Sequence, residues 1–203
     1  LAGEAHADVN QARTDGGATP LYVAAEKDNL DVVRYLAGEA HADVNKARTD
    51  TGGTPLIIAA IQGNVDVVRY LIGEAHADVN KARTDDGRTP LYIAAEQGNL
   101  DVVRYLAGEA HADVNQATTD DGFTPLYVAA YNGNLDVVRY LVGEAHANVN
   151  QARTDNGCTP LYIAASQGNL DMVRYLAGGA HADVNEATAE KGCTRQRIAA
   201  AWR

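Results

Sequence analysis

Six histidines, His6, His41, His76, His111, His146 and His181, recur every 35 residues. Imidazoles so evenly set could form a metal ladder or a pH sensor. Five tyrosines keep the same interval, Tyr35, Tyr70, Tyr105, Tyr140 and Tyr175, as do the two cysteines, Cys158 and Cys193. Each set occupies one place in a repeated unit, and that placement decides its chemistry. Packed helical units lie roughly 8 to 10 Å apart, whereas ligands sharing one zinc ion must each come within about 2 Å of it. The histidines are therefore expected to be loop residues in left-handed backbone, and the tyrosines to stack between neighbours. By the same spacing no intrachain disulfide is expected, since a bridge needs Cα atoms within about 7 Å. Carboxylate pairs such as Asp85 and Asp86 suit turns. The sequence offers no nucleophile beside a base, no glycine-rich phosphate loop and no metal-spaced cluster, so no enzyme, metal or cofactor is expected.

The elements that carry these residues follow from the repeat. Thr-Pro stands at 19–20, 54–55, 89–90, 124–125 and 159–160, and Thr194-Arg195 is a degraded copy. Such self-similarity marks a stacked-repeat solenoid. Residues 1–14 match the tail of a unit; full units run 15–49, 50–84, 85–119, 120–154 and 155–189; residues 190–203 begin another. No linker or composition shift interrupts the array, so 1–203 reads as a single domain of units that bury their apolar faces against one another.

Within the unit 85–119, Thr89 caps a helix with Pro90 at its first position, and Leu91, Ala94 and Ala95 line one edge. Gly98 ends that helix in left-handed backbone. Asn99 is expected to cap a second helix, with Asp101 in its positive first turn and Leu100, Val103, Leu106 and Ala107 as its apolar stripe. Asp101 and Arg104 form an expected solvated i,i+3 pair. The connection between units, as in 76–88, is largely polar and contains Asp85-Asp86-Gly87, the chemistry of a hairpin turn.

These motifs resemble the ankyrin repeat family: D-x-G-x-T-P-L at 85–91, A-A-x-x-G at 94–98, V-V-x-x-L at 102–106 and A-D-V-N at 112–115. The resemblance covers essentially the whole chain. It implies an all-α, ankyrin-repeat solenoid of helix-turn-helix units joined by β-hairpin loops. Two departures stand out. Tyr22, Tyr92, Tyr127 and Tyr162, with Ile57, occupy the place where the family writes histidine, which removes its usual inter-repeat hydrogen bonds. The period is 35 rather than about 33, with one added residue near the end of the second helix and one between Asn115 and Asp120, so longer hairpin arms are expected. The family's asparaginyl hydroxylation would fall on Asn45, Asn80, Asn115 or Asn150, although the added residue shifts the upstream leucine by one place.

Function must lie in what differs between units. Units 85–119 and 120–154 differ at seven positions: Arg88/Phe123, Ile93/Val128, Glu96/Tyr131, Gln97/Asn132, Ala107/Val142, Asp113/Asn148 and Thr118/Arg153. The resemblance implies that the variable sites line a concave groove of hairpin tips and first helices that binds a protein. Ile61, Arg88, Phe123 and Tyr131 are the expected centre of that surface, with Glu96 and Asp86 supplying charge, because an exposed row of this kind has no folding reason to be aromatic and Tyr and Arg are favoured anchors. Drift at solvent-exposed sites of a duplicated array is the alternative.

A net charge of -10 disfavours nucleic acid and anionic membranes, and no apolar run approaches the roughly 20 residues of a span. With no secretory leader visible and unbridged cysteines expected, the expected setting is intracellular, reducing and cytoplasmic. The expectation is a non-catalytic protein-protein interaction scaffold with a protein partner of unknown identity; a structural spacer or an engineered ankyrin scaffold is the alternative, and Asp28 for Gly, Ile57 for Tyr and the cysteines favour a natural sequence. Leu1 opens inside a second helix and Arg203 closes inside a first, where Arg195, Gln196 and Arg197 resemble a polar cap. End-to-end self-association through the terminal repeats is expected, strongest at the N-terminal side.

Overall fold

The computed structural model describes residues 7–184. His6, Cys193, Arg195 to Arg197, Trp202 and the expectations placed on the two chain ends lie outside the described residues. Ten α-helices alternate as first and second helices of successive units: α1 (Pro20–Glu26), α2 (Leu30–Arg34), α3 (Pro55–Gln62), α4 (Val65–Gly73), α5 (Pro90–Gln97), α6 (Leu100–Arg104), α7 (Pro125–Asn132), α8 (Leu135–Gly143), α9 (Pro160–Ser166) and α10 (Leu170–Arg174). The chain is an all-helical repeat solenoid.

The start of each first helix forms as its sequence dictates. The hydroxyl oxygens of Thr19, Thr54, Thr89, Thr124 and Thr159 accept the backbone N–H three residues on, at 3.1–3.3 Å, and proline follows each. Gly63, Gly98 and Gly133 end α3, α5 and α7 with φ of 76–77°; in the first unit Asp28 takes that left-handed place at φ 57°, where a side chain is strained. His41, His76, His111, His146 and His181 likewise hold φ of 54–57° after the second helices, the role expected of them.

Two elements differ from expectation. Asn99 does not cap α6. Its Nδ2 reaches back to the carbonyls of Ala60 and Ile61 at 2.9 and 3.1 Å, and Asn64 and Asn134 do the same toward Ala25, and toward Ala95 and Glu96; only Asn169 caps its own helix, accepting from Met172. Carbonyls at the end of the preceding first helix have no intrahelical partner, so the asparagine is better used across the interface. The added residue near the end of the second helix does not lengthen a hairpin. It is absorbed in a wide turn in which Ala40, Ala75, Ala110, Ala145 and Ala180 donate to the tyrosine carbonyl five residues back, at 2.8–3.1 Å. Where Ala37, Ala107 or Ala177 follows the leucine the turn is π-helical over Tyr35–Glu39, Tyr105–Glu109 and Tyr175–Gly179; with Ile72 or Val142 there, the α-helix runs on to Gly73 or Gly143.

The linking loops contain no strand among the described residues. Four close on a pair of backbone bonds, such as Arg48 N–H to Gly53 and Gly52 N–H to Arg48, and the loop at 118–123 closes on the Thr118 N–H to Phe123 bond. The outer arms pair with the neighbouring loop instead of with each other: Asn10, Asn45, Asn80, Asn115 and Asn150 each accept, through Oδ1, the N–H of residue 43, 78, 113, 148 or 183, at 2.8–3.0 Å.

Leu21, Leu56, Leu91, Leu126 and Leu161 and the Ala-Ala pairs of α1, α3, α5 and α7 are buried, and the first helices approach one another more closely than the second helices do. Val67, Val102, Val137 and Met172, outside the expected stripe, are at most 2% exposed because they face the preceding unit, whereas Val32 of the first unit is 48% exposed. A second helix in a stack therefore buries two faces.

Cys158 is disulfide-bonded, contrary to expectation. The spacing argument applies to helix axes, and Cys158 stands ahead of α9 at a turn. The bond also withdraws the support that unbridged cysteines lent to a reducing cytoplasmic setting. No helix among the described residues is long and apolar enough to cross a membrane.

Candidate partner-binding surface

The loops project a repeated clamp. Arg13, Arg48 and Arg83 donate through Nε to Asp15, Asp50 and Asp85 at 2.9, 2.8 and 3.1 Å, and Arg153 donates to Asp155 through Nη2. These charge-assisted bonds hold the Asp15 and Asp85 carboxyls below the usual carboxylate range and bring Asp50 down to about 2. The loop at 118–123 lacks the clamp, for Thr118 stands where the others carry arginine. Its hydroxyl accepts the Phe123 N–H at 3.0 Å.

Behind the clamps lie the rings of the first helices. Arg48 covers Tyr22 at 5.2 Å, and Arg153 covers Phe123 at 4.1 Å and Tyr127 at 5.6 Å. In both cases the guanidinium comes from the far end of the same unit, in the loop that leads to the next. Over Tyr92 that residue would be Thr118, and the guanidinium is instead supplied from the start of the unit by Arg88, at 5.3 Å. Burial pushes the Tyr92 phenol up to about 12, with Arg88 opposing and Glu96, Asp86 and Asp121 adding to the shift; Tyr22 and Tyr127 also rise through burial.

A second row runs along the second helices. The phenols of Tyr70, Tyr105, Tyr140 and Tyr175 donate to the carbonyls of Arg34, Arg69, Arg104 and Arg139 at 3.3–3.5 Å. The same arginines lie over those rings at 4.5–5.9 Å. Arg69 also forks onto Glu109 at 2.9 and 3.0 Å.

Models of the ankyrin repeat family match this chain along most of its length: the three-copy model at residues 40–118 and again at 110–188, and the single-repeat model at 16–50. The chain belongs to the ankyrin repeat family. No curated protein matches it.

Within this ankyrin array the six expected site residues fall into three settings. Asp86, Arg88 and Glu96 form one network: Arg88 Nε lies 3.1 Å from Asp86 and its Nη1 3.1 Å from Glu96. The charge expected of Asp86 and Glu96 is thus largely spent on Arg88. Phe123 is half-buried, its ring 5.0 Å from that of Tyr127 and beneath Arg153. Both Arg88 and Phe123 consequently have a folding role, which corrects the premise that their row has none. Tyr131 is 51% exposed, and Ile61 is half-buried against the core. No hydrogen bond, ion pair or ring contact joins Ile61 or Tyr131 to the other four among the described residues.

Sequence reasoning missed Thr118, Arg153, Tyr92 and Tyr127. The signal was present in the seven differences: Arg88 goes with Thr118, and Phe123 goes with Arg153, because the guanidinium over each ring can come from either end of the unit. It also took the second-helix arginines for a solvated face. Asp31–Arg34 and Asp171–Arg174 do pair at 4.0 and 3.7 Å, but Arg104 lies over Tyr140 rather than on Asp101. Among the described residues no group of three or more His, Cys, Asp or Glu is placed to hold a metal.

Proposed function

We propose that this chain is a non-catalytic scaffold that binds a protein partner across the loops and first helices of units 85–119 and 120–154. Ankyrin repeats are generally protein-protein interaction modules, and the family match carries that coarser reading. The observation favouring this particular surface is Tyr131, a large ring left half in solvent on α7, in the row where units differ most; an aromatic side chain held ready in this way binds at little entropic cost. Affinity capture from the source cell with the full chain, followed by titration of the captured protein, tests the reading. Tyr131→Ala should weaken binding about tenfold or more while leaving the thermal midpoint unchanged; unaltered affinity would leave a spacer.

A further inference from the structure

We infer that the loop at 118–123 receives an arginine side chain from the partner, held by the carboxylates of Asp120 and Asp121. The inference rests on the partner-binding reading above and names the chemistry of the partner. Four of the five loops show what this position accepts. In each, an aspartate equivalent to Asp120 is tied to a guanidinium two residues earlier in the chain, and for Arg48 and Arg153 the same guanidinium also covers a ring. The fifth loop keeps the aspartate and lacks the arginine. Asp120 receives only the Thr119 hydroxyl, at 3.4 Å, and Asp121 lies no closer than 4.0 Å to Arg153, whose own fork is spent on Asp155. The guanidinium that could have reached across, Arg88, is held by Asp86 and Glu96 over Tyr92.

The field is also uneven. Around this loop five carboxylates, Asp85, Asp86, Glu96, Asp120 and Asp121, stand with three guanidiniums, Arg83, Arg88 and Arg153, the last of them held by Asp155. Along the corresponding stretch of the first two units Asp15, Glu26, Asp28 and Asp50 stand with Arg13, Lys27 and Arg48. A cation is therefore drawn to one loop rather than to the array at large. Arginine fits better than lysine because its planar fork can take a carboxylate side-on while its face lies on an aromatic ring, as Arg153 does on Phe123; Tyr131, in the same unit, offers an exposed ring.

The test uses the full chain and a defined probe, an acetylated and amidated Gly-Arg-Gly-Arg-Gly peptide, with its citrulline counterpart as control. In amide-detected titrations the arginine peptide should shift residues 119–123, and the citrulline peptide should not. Thr118→Arg places in this loop the residue that positions 48, 83 and 153 already carry, and it should weaken the response about tenfold. Asp120→Asn with Asp121→Asn, both at solvent-accessible sites, should do the same. Equal shifts at the clamped loops, equal shifts from citrulline, or an unchanged response in Thr118→Arg would overturn the inference. With the captured partner, Tyr131→Ala weakening binding while Thr118→Arg does not would leave the surface standing and remove the arginine. If neither weakens it, both readings fall.

Discussion

The second-helix row and the loop row of this molecule are made of the same residue types and behave oppositely. Along the second helices tyrosine and arginine alternate without variation, each arginine covering the next unit's ring and each phenol bonded to that arginine's carbonyl. Along the loops the guanidinium changes source from unit to unit: Arg48 and Arg153 come from the unit's closing loop, Arg88 comes from its opening loop and Thr118 contributes none. The first row shows what stacking requires. The second shows how much can be exchanged once stacking is secure, and it is where a surface can acquire individuality.

Breaking the first row should cost most. Leu106, fully buried under α6, changed to Ala should lower unfolding free energy by about 2–5 kcal/mol in denaturant titration. Asn99→Ala strips the donor from two carbonyls at once and should cost about 1–3 kcal/mol; a loss confined to a few tenths would mean water takes its place. The exchange in the loop row is sharpened by a double-mutant cycle of Phe123→Ala with Arg153→Met, for which a coupling of about 0.5–1 kcal/mol is expected. Additive losses would make the guanidinium incidental to the ring. Smallest is the acid effect of a single clamp. Because Arg48 depresses the Asp50 carboxyl from 3.8 to about 2, its contribution is present above the ordinary carboxylate value and is lost as pH falls through that window. Asp50→Asn should therefore lower the melting midpoint slightly near neutrality, and its difference from the unaltered chain should disappear as pH falls from about 4 to 2.

What was legible in the sequence was whatever a single unit decides alone. The threonine caps, the left-handed glycines and histidines and the Leu-Ala-Ala edge obey short-range rules and appear as expected. What crosses from one unit to the next was not legible. Asn99 has the right place for a cap, and only the position of α3 reveals a better use for its amide. Arg104 has the right place for an ion pair with Asp101, and only the offset of α8 lays it over Tyr140. Along the candidate surface, Tyr131 could be read as exposed from its variability, whereas Phe123 and Arg88 could not be read as packed, because their partners lie 30 residues away in Arg153 and four away in Tyr92. The residue added near the end of the second helix lengthens no hairpin arm for a related reason: a widened helical turn takes it in without disturbing the loop beyond.

The asparagine bridges described between consecutive loops have a genetic implication. Giver and receiver are written into every copy of the motif, so a tandem duplication or deletion of one whole motif rejoins the broken line of bonds with no compensating mutation. Array length can then change in integer steps, while the side chains along the loops remain free to record a different history in each.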